Sequence, residues 1–326
     1  MTDPDQQPTA PDVPADEALV EPVMICAFEG WNDAGDAATA AIEHLQLTWE
    51  ATALSEVDPD DYYDFQVTRP VIEINDGRIE RLVWPTTRLS VAHADGTAAT
   101  ADSEGDGAEG GGDADPAPGS STGLDKDIVL VHGIEPNMRW RKFCSELIEQ
   151  IDELGISTVI TLGALLADTP HTRPVPVTGT AYDAASAARF GLERSRYEGP
   201  TGIVGVLQDA CVQAGVPAIS IWAAVPHYVS QPPSPKATLA LLHRVEEVLD
   251  IEVPLGDLPD QAEEWQRTVS EMAEEDEDVR NYVRALEERG DADLALNETS
   301  GDAIAAEFER YLRRRRPGPG RGPSGV

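Results

Sequence analysis

The chain has 326 residues, of which 41% are hydrophobic, and its formal net charge is −36. This length and apolar content are sufficient for one large α/β domain with appendages. The negative charge would repel nucleic acid, so we expect no nucleic-acid partner. No apolar run approaches the ~18 residues that a membrane helix needs, and the first residues lack the pattern of a secretion signal. We therefore expect a cytoplasmic protein that does not bind membranes.

Three cysteines, Cys26, Cys144 and Cys211, lie far apart in apolar segments. Their odd number and their spacing favour reduced core residues over disulfides or a metal site. This usage is typical of a reducing compartment.

Segments of low hydrophobicity divide the chain. Residues 1–20 and 317–326 are predicted to be disordered tails, and residues 94–125, rich in Gly, Ala and Asp, a disordered acidic loop. This loop interrupts a predicted α/β domain over residues 21–250. Residues 251–316 are predicted to form a helical C-terminal appendage, since apolar residues recur there at helical spacing. The basic run 313–316 is consistent with a cap on the last helix or with docking of an anionic partner.

The first predicted elements are a buried strand at residues 23–28, a turn at Gly30, Asn32 and Asp33, and a helix at residues 34–47. Residues 68–74 and 78–84 flank Asn75-Asp-Gly77, whose residues tolerate the positive φ of a tight turn. We expect this antiparallel hairpin to join the main sheet.

Two strand–helix–strand patterns follow. Strands are predicted at residues 128–131 and 158–165, with a helix between them that Asn137 caps and Gly155 ends. A second helix ends at Gly215 before a strand at residues 218–225, and a further helix begins at Ser234-Pro235. Such short crossovers require parallel strands. The sequence therefore predicts a doubly wound, mostly parallel α/β sheet with an added hairpin.

Polar side chains follow three of these strands directly, where open α/β sheets bind ligands. Because parallel strands end at the same edge, we expect these side chains to lie within reach of each other. The candidate ligand-binding residues are Glu135, Asn137, Arg139, Asp168, His171, Arg173, Thr178, Thr180 and His227.

Three interpretations of this group remain open. Arg139, Arg173 and a helix N-terminus would bind a phosphate or carboxylate. Alternatively, His132, Asp168, His171 and His227 would coordinate a metal, or an Asp–His pair would act as acid and base. In the third, an Asp168–Arg173 ion pair fixes a proline-rich loop without a ligand. No known catalytic or nucleotide-binding motif is present, so we assign no catalytic residue, metal or cofactor.

Four segments carry a family resemblance. They are Phe-Glu-Gly-Trp-Asn-Asp-Ala-Gly at residues 28–35, Gly-Ile-Glu-Pro-Asn-Met-Arg-Trp at 133–140, residues 163–180 with Asp-Thr-Pro-His-Thr-Arg-Pro at 168–174, and Val-Pro-His-Tyr-Val at 225–229. Over about residues 20–250 the chain resembles the PAC2 family, in its actinobacterial branch. Such proteins resemble proteasome assembly chaperones. The resemblance implies a three-layer α/β/α fold similar to that of nucleoside phosphorylases, and a homo-oligomer.

Two functions are consistent with these observations. We favour a noncatalytic binding or assembly protein of the proteasome-chaperone type, with a proteasome-related protein partner. The alternative is an enzyme or sensor for a small anionic ligand, such as a nucleoside phosphate or carboxylate, at the predicted edge. The chain ends Pro-Ser-Gly-Val, without the tyrosine of known proteasome-docking tails, so we do not expect docking through that tail.

Overall fold

The computed structural model describes residues 18–75, 77–95 and 122–294, with side chains up to residue 289. Most of the two predicted tails, the acidic loop and the last part of the predicted appendage lie outside the described residues. The domain boundaries given above stay predictions.

An eight-stranded sheet is the centre of the fold, in the order β2-β5-β6-β1-β7-β10-β8-β9. The four central strands, β6, β1, β7 and β10, are parallel. The strands of this sheet are β1 (Val23–Glu29), β2 (Thr52–Glu56), β5 (Thr87–Ala92), β6 (Ile128–Ile134), β7 (Thr158–Ala167), β8 (Val177–Ala181), β9 (Glu193–Arg194) and β10 (Ala218–Pro226). The central strands have nearly continuous apolar sequences, because helices cover both of their faces.

Helices form the two outer layers. The apolar faces of α1 and α6 pack on one side of the sheet, and those of α3 and α5 pack on the other, so the fold is a three-layer α/β/α arrangement. The helices are α1 (Ala37–Thr48), α2 (Pro59–Tyr62), α3 (Trp140–Glu153), α4 (Ala184–Phe190), α5 (Ile203–Ala214), α6 (Pro235–Leu249), α7 (Leu258–Glu275) and α8 (Glu277–Leu294). Helix α7 packs on α6, and α8 packs on α7.

The predicted hairpin forms, but its expected place in the main sheet is wrong. Strands β3 (Val71–Asn75) and β4 (Arg78–Val83) make a separate two-stranded sheet, and Gly77 has the positive φ of 74° that its turn requires. The turn signal brings two strands together, but it does not determine what they pack against.

The start of α3 also differs from the prediction. Arg139, with a left-handed φ of 56°, is the residue before the first turn, and Asn137 does not cap the helix. The Asn137 side chain instead accepts hydrogen bonds from Asp64 N at 2.9 Å and Thr68 Oγ1 at 3.1 Å. It anchors the segment that leads into the hairpin.

The turn after β1 ties α1 to the sheet. The buried Asp33 carboxylate accepts hydrogen bonds from Ala38 N at 2.6 Å and from the Thr39 hydroxyl, which satisfies donors in the first turn of α1. Burial raises the pKa of Asp33 to about 6. The Asp33 side chain therefore has a structural role at this edge of the sheet.

Candidate functional site

The carboxyl ends of β1, β6, β7 and β10 lie at one edge of the sheet, as predicted, but the candidate residues beyond them fall into three groups. Their contacts, described below, show that they do not form one site. The groups are Asp168, His171, Arg173 and His227 under α7 and α8; Asn137 and Arg139 near α2; and Glu135, Thr178 and Thr180 around the start of α5.

The first group is centred on Asp168, directly after β7. Its Oδ1 accepts a hydrogen bond from the Tyr282 hydroxyl of α8 at 2.6 Å and lies 3.1 Å from His227 Nδ1, after β10. The rings of Tyr228 and His227 each contact Tyr282 edge to face, with centroids 5.9 and 5.4 Å away. We call Asp168, His171, His227, Tyr228 and Tyr282 the covered cluster.

His171 is 2% exposed and is bonded at both ring nitrogens. Nδ1 lies 2.8 Å from the Tyr228 hydroxyl, and Nε2 lies 2.9 Å from Ser270 Oγ on α7. Burial lowers the pKa of His171, and the charge of nearby Lys236 adds to this. The ring is therefore neutral near pH 7, and α7 closes over it.

Lys236 of α6 holds the β7–β8 loop in place by hydrogen bonds to its main chain. Its Nζ donates hydrogen bonds to the main-chain oxygens of His171 and Arg173, and to the side chain of Gln266 on α7. Thr172 of the same loop donates to Glu287 of α8. The loop that carries the sequence motif is thus held by α6, α7 and α8 together.

The second group positions the chain that leads to the hairpin. The Arg139 guanidinium and Lys142 Nζ both bind the Asp61 carboxylate, and the bond from Lys142 is 2.6 Å long. Hydrogen bonding to Lys142, with Arg139 nearby, lowers the pKa of Asp61. With the Asn137 contacts described above, these pairs connect α3 to residues 61–68.

The third group borders a pocket between α5, β8 and β10, which we call the α5 pocket. Glu135 Oε1 accepts hydrogen bonds from Asn32 Nδ2 at 2.9 Å and from Ile203 N at 2.8 Å, in the first turn of α5. Thr178 and Thr180, two residues apart on β8, line the pocket wall.

Several residues around these groups were not predicted from the sequence as site residues. Asn32 was assigned only to a turn, and Gln208 was not considered, although a glutamine among the buried positions of α5 is a usable signal. Tyr282 and Ser270 belong to helices predicted only as an appendage, 114 and 99 residues away in sequence from their partners in the covered cluster.

The arrangement of the described side chains gives little support to the metal-binding alternative. Across residues 18–75, 77–95 and 122–294, no group of three or more His, Cys, Asp and Glu side chains is placed to hold a metal ion. His132 lies near Glu29 and Glu43, at 3.7 and 3.9 Å, away from the covered cluster. Within the same ranges, no helix combines the length and the apolar character that crossing a membrane requires.

Solved structures with a similar fold include two with more than half of their residues identical. A PAC2 family protein from Streptomyces avermitilis is 51% identical, with a TM-score of 0.68, covering 80% of this chain and 99% of that chain. A proteasome-assembly chaperone homologue from Mycobacterium tuberculosis is 55% identical, with a TM-score of 0.67 and the same coverage. PbaB from Pyrococcus furiosus, an archaeal proteasome activator, is 16% identical with a TM-score of 0.55, and shares the fold alone.

The family comparison agrees with these structures. A search of curated proteins finds no match. The PAC2 family model, however, matches residues 27–273, which contain the whole sheet except the first four residues of β1, and most of α7. The resemblance seen in the sequence is thus confirmed, and the chain belongs to the PAC2 family.

Proposed function

We propose that this protein is a noncatalytic binding or assembly protein of the proteasome-chaperone type, which acts as a homo-oligomer with a proteasome-related partner. The similarity to the Mycobacterium tuberculosis proteasome-assembly chaperone homologue supports the partner class. A binding protein of this kind needs an exposed contact surface more than an open catalytic centre.

The observation that carries the proposal is the exposed apolar hairpin. In the β3–β4 register, Ile72 pairs with Leu82 and Ile74 pairs with Ile79, so these four side chains share one face. Their exposed fractions lie between 41% and 68%. An isolated two-stranded hairpin is at best marginally stable in water, and a permanent apolar patch favours aggregation. We propose that this apolar hairpin face packs against a second copy of the chain.

The covered cluster favours a noncatalytic role. A general acid or base has to reach the substrate, but His171 is buried and both of its ring nitrogens are engaged by neighbouring side chains. Asp168 accepts from Tyr282. These groups join the two last described helices to the sheet, which is a sufficient reason for their presence.

The alternative, a small anionic ligand, has less support from the described cations. Arg139 and Lys142 are paired with Asp61, and Lys236 donates to main-chain oxygens of the β7–β8 loop. An anion would have to displace these partners at the cost of leaving a carboxylate or two carbonyl groups unpaired.

A cytoplasmic location is part of the proposal. Cys26, Cys144 and Cys211 are buried thiols without a disulfide, as is usual in reducing compartments. Burial raises the pKa of Cys144 and Cys211 to about 12, so neither is a reactive thiolate.

The test is an assembly assay with purified proteasome core subunits from the organism that encodes the chain. We expect the chain to form a sedimenting complex with the unassembled subunits and to increase the yield of assembled particles on native gels. An unrelated protein of similar net charge is the control, since a charge of −36 alone can affect assembly. Absence of any complex, together with turnover of nucleoside phosphates or carboxylates by the same preparation, would favour the enzyme alternative.

A further inference from the structure

The α5 pocket has the properties of a small-molecule site. About 650 Å³ of space not filled by atoms, which includes open solvent, lies between the first turns of α5 and strands β8 and β10. Aromatic rings and hydroxyl groups line it, among them those of Trp31, Thr178, Thr180, Tyr182, Tyr197 and Trp222. Pockets that bind small molecules are commonly concave and mostly apolar with a few fixed polar groups.

Gln208 provides the unusual polar group. It lines the pocket from α5 and is 1% exposed, and neither its amide oxygen nor its amide nitrogen has a hydrogen-bond partner among the described residues. Leaving a buried amide unpaired is costly, and native proteins rarely do so at both atoms. A group that enters the pocket could therefore supply the hydrogen bonds that the Gln208 amide lacks.

The residues around the pocket do not favour an anion. The described residues that line it include no Lys, Arg, His, Asp or Glu. The positive end of α5, which would otherwise attract a phosphate, is occupied by Glu135, whose carboxylate accepts the Ile203 N–H. The Glu135 carboxylate can approach the end of α5 this closely because residue 202 is a glycine. A Cβ at this position would lie 2.7 Å from Glu135 Oε1. The pocket therefore suits an uncharged ligand.

The donor and acceptor pattern of the Gln208 amide restricts the class of ligand further. A primary amide presents one acceptor and one donor along a single edge. A cyclic lactam presents the complementary donor and acceptor side by side, so the pair forms two parallel hydrogen bonds. The aromatic walls favour a flat ring, since rings stack on aromatic side chains.

We propose that the α5 pocket binds a small, flat, uncharged ring that carries a lactam N–H and C=O, held by the side-chain amide of Gln208. Pyrimidine and purine bases with a lactam edge belong to this class. The inference goes beyond the assembly role and does not depend on it, because the pocket and the apolar hairpin face share no residue.

Calorimetric titration of the purified protein with uracil tests the proposal, with hypoxanthine as a second probe. The control ligand is 1,3-dimethyluracil, which has a similar flat ring but no N–H. We expect uracil or hypoxanthine to bind the wild-type protein at least tenfold more tightly than dimethyluracil. The change Gln208→Met keeps the length of the side chain and removes both polar atoms, and we expect it to weaken base binding at least tenfold.

A matched control lies on the same helix. Gln213 is exposed, so Gln213→Met repeats the substitution outside the pocket and should leave base binding unchanged. The proposal is wrong if neither base binds the wild-type protein, or if binding survives Gln208→Met. Either result leaves the assembly assay unaffected, so the two proposals fail separately.

Discussion

His171 is a buried ring whose hydrogen bonds define its protonation. The Tyr228 hydroxyl accepts the His171 main-chain N–H at 2.8 Å and is therefore free to donate its own proton to Nδ1. The Ser270 hydroxyl donates to Gln266 O at 2.8 Å, so its oxygen accepts from Nε2–H. A neutral imidazole with its proton on Nε2 satisfies all of these hydrogen bonds, in agreement with the lowered pKa of His171.

The first prediction concerns the change His171→Gln. Loss of this buried network should lower the free energy of unfolding by about 1–3 kcal/mol at pH 7.5. In the wild-type protein the folded pKa is below that of the unfolded chain, so the unfolded state binds more protons on acidification. This stabilisation is therefore present above about pH 6.5 and is lost as the pH falls. Urea denaturation at pH 7.5 and 5.5 should show the difference between the two proteins shrinking at the lower pH.

The remaining titrating groups near His171 are the same in both proteins. They include Lys236, Glu287 and Tyr228, and their contributions largely cancel in the difference. An equal difference in unfolding free energy at both pH values would contradict the neutral, buried state of His171.

Single glycines also determine which substitutions this fold tolerates. Gly163 on β7 faces the Trp222 ring of the neighbouring strand, and an added Cβ would lie 2.6 Å from two ring carbons. Trp222 in turn lines the α5 pocket. The absence of a side chain at position 163 is thus required by the adjacent indole.

The second prediction follows from this contact. Gly163→Ala should destabilise the protein by about 1–3 kcal/mol through overpacking. In a Trp222→Phe background the same change should cost less, because the smaller ring leaves space for the methyl group. Thermal or urea unfolding of the four proteins measures this coupling. Additive costs would show that the two side chains do not interact.

Helix α8 packs on α7 and is also joined to the covered cluster by polar contacts. Among the described residues, Tyr282 of α8 donates a hydrogen bond to Asp168, and Glu287 accepts one from Thr172. Val283 and Leu286 supply a short apolar face. A helix at the surface of the molecule is expected to open more readily than the central strands, whose side chains are buried.

The third prediction is made for α8 alone. Tyr282→Phe removes the hydroxyl that binds Asp168 and should increase amide hydrogen exchange in α8 by about fivefold to tenfold, equivalent to about 1–1.4 kcal/mol. Exchange in β1 and β7 should stay unchanged. Tyr182→Phe, near the α5 pocket, is the matched control and should leave α8 protected. Unchanged exchange in α8 of the Tyr282 variant would show that this contact does not hold the helix.

The sequence predicted those elements whose signals are local. Strands β1, β6, β7 and β10 are continuous apolar runs, and Gly155 and Gly215 mark the ends of the helices between them with positive φ. Strands β2, β5, β8 and β9 were missed. In β8, for example, Thr178 and Thr180 are half-buried on a short strand near the edge of the sheet. Local sequence does not distinguish such a strand from a loop.

The candidate site was predicted less completely than the fold. Proximity to the carboxyl edge of the sheet was inferred from the strand order, but the partners of each residue come from distant segments. Asn137 binds Asp64, and His171 binds Ser270, contacts that span 73 and 99 residues. Without these partners, residues that fix loops and helices cannot be told from residues that await a ligand.

At the scale of the molecule, the polar motif residues connect elements internally, while the apolar hairpin face is exposed among the described residues. Arg139, Lys142 and Asn137 hold the segment before the hairpin, so its position on the surface is fixed. An exposed apolar face that is held in a fixed position is suited to pairing with another copy. Self-association through β3 and β4 is the central claim.

Sedimentation velocity of the double change Ile74→Lys with Ile79→Glu tests this claim most directly. These residues pair across the hairpin, so opposite charges preserve the pairing while they place two charges in the apolar face. The control exchanges the pair on the opposite face, Glu73→Arg with Arg81→Glu, and retains its ion pair. We predict that the wild-type protein and the control sediment as oligomers, and that the Ile74/Ile79 variant sediments as a folded monomer. A monomeric wild-type protein, or an oligomeric Ile74/Ile79 variant, would contradict the account.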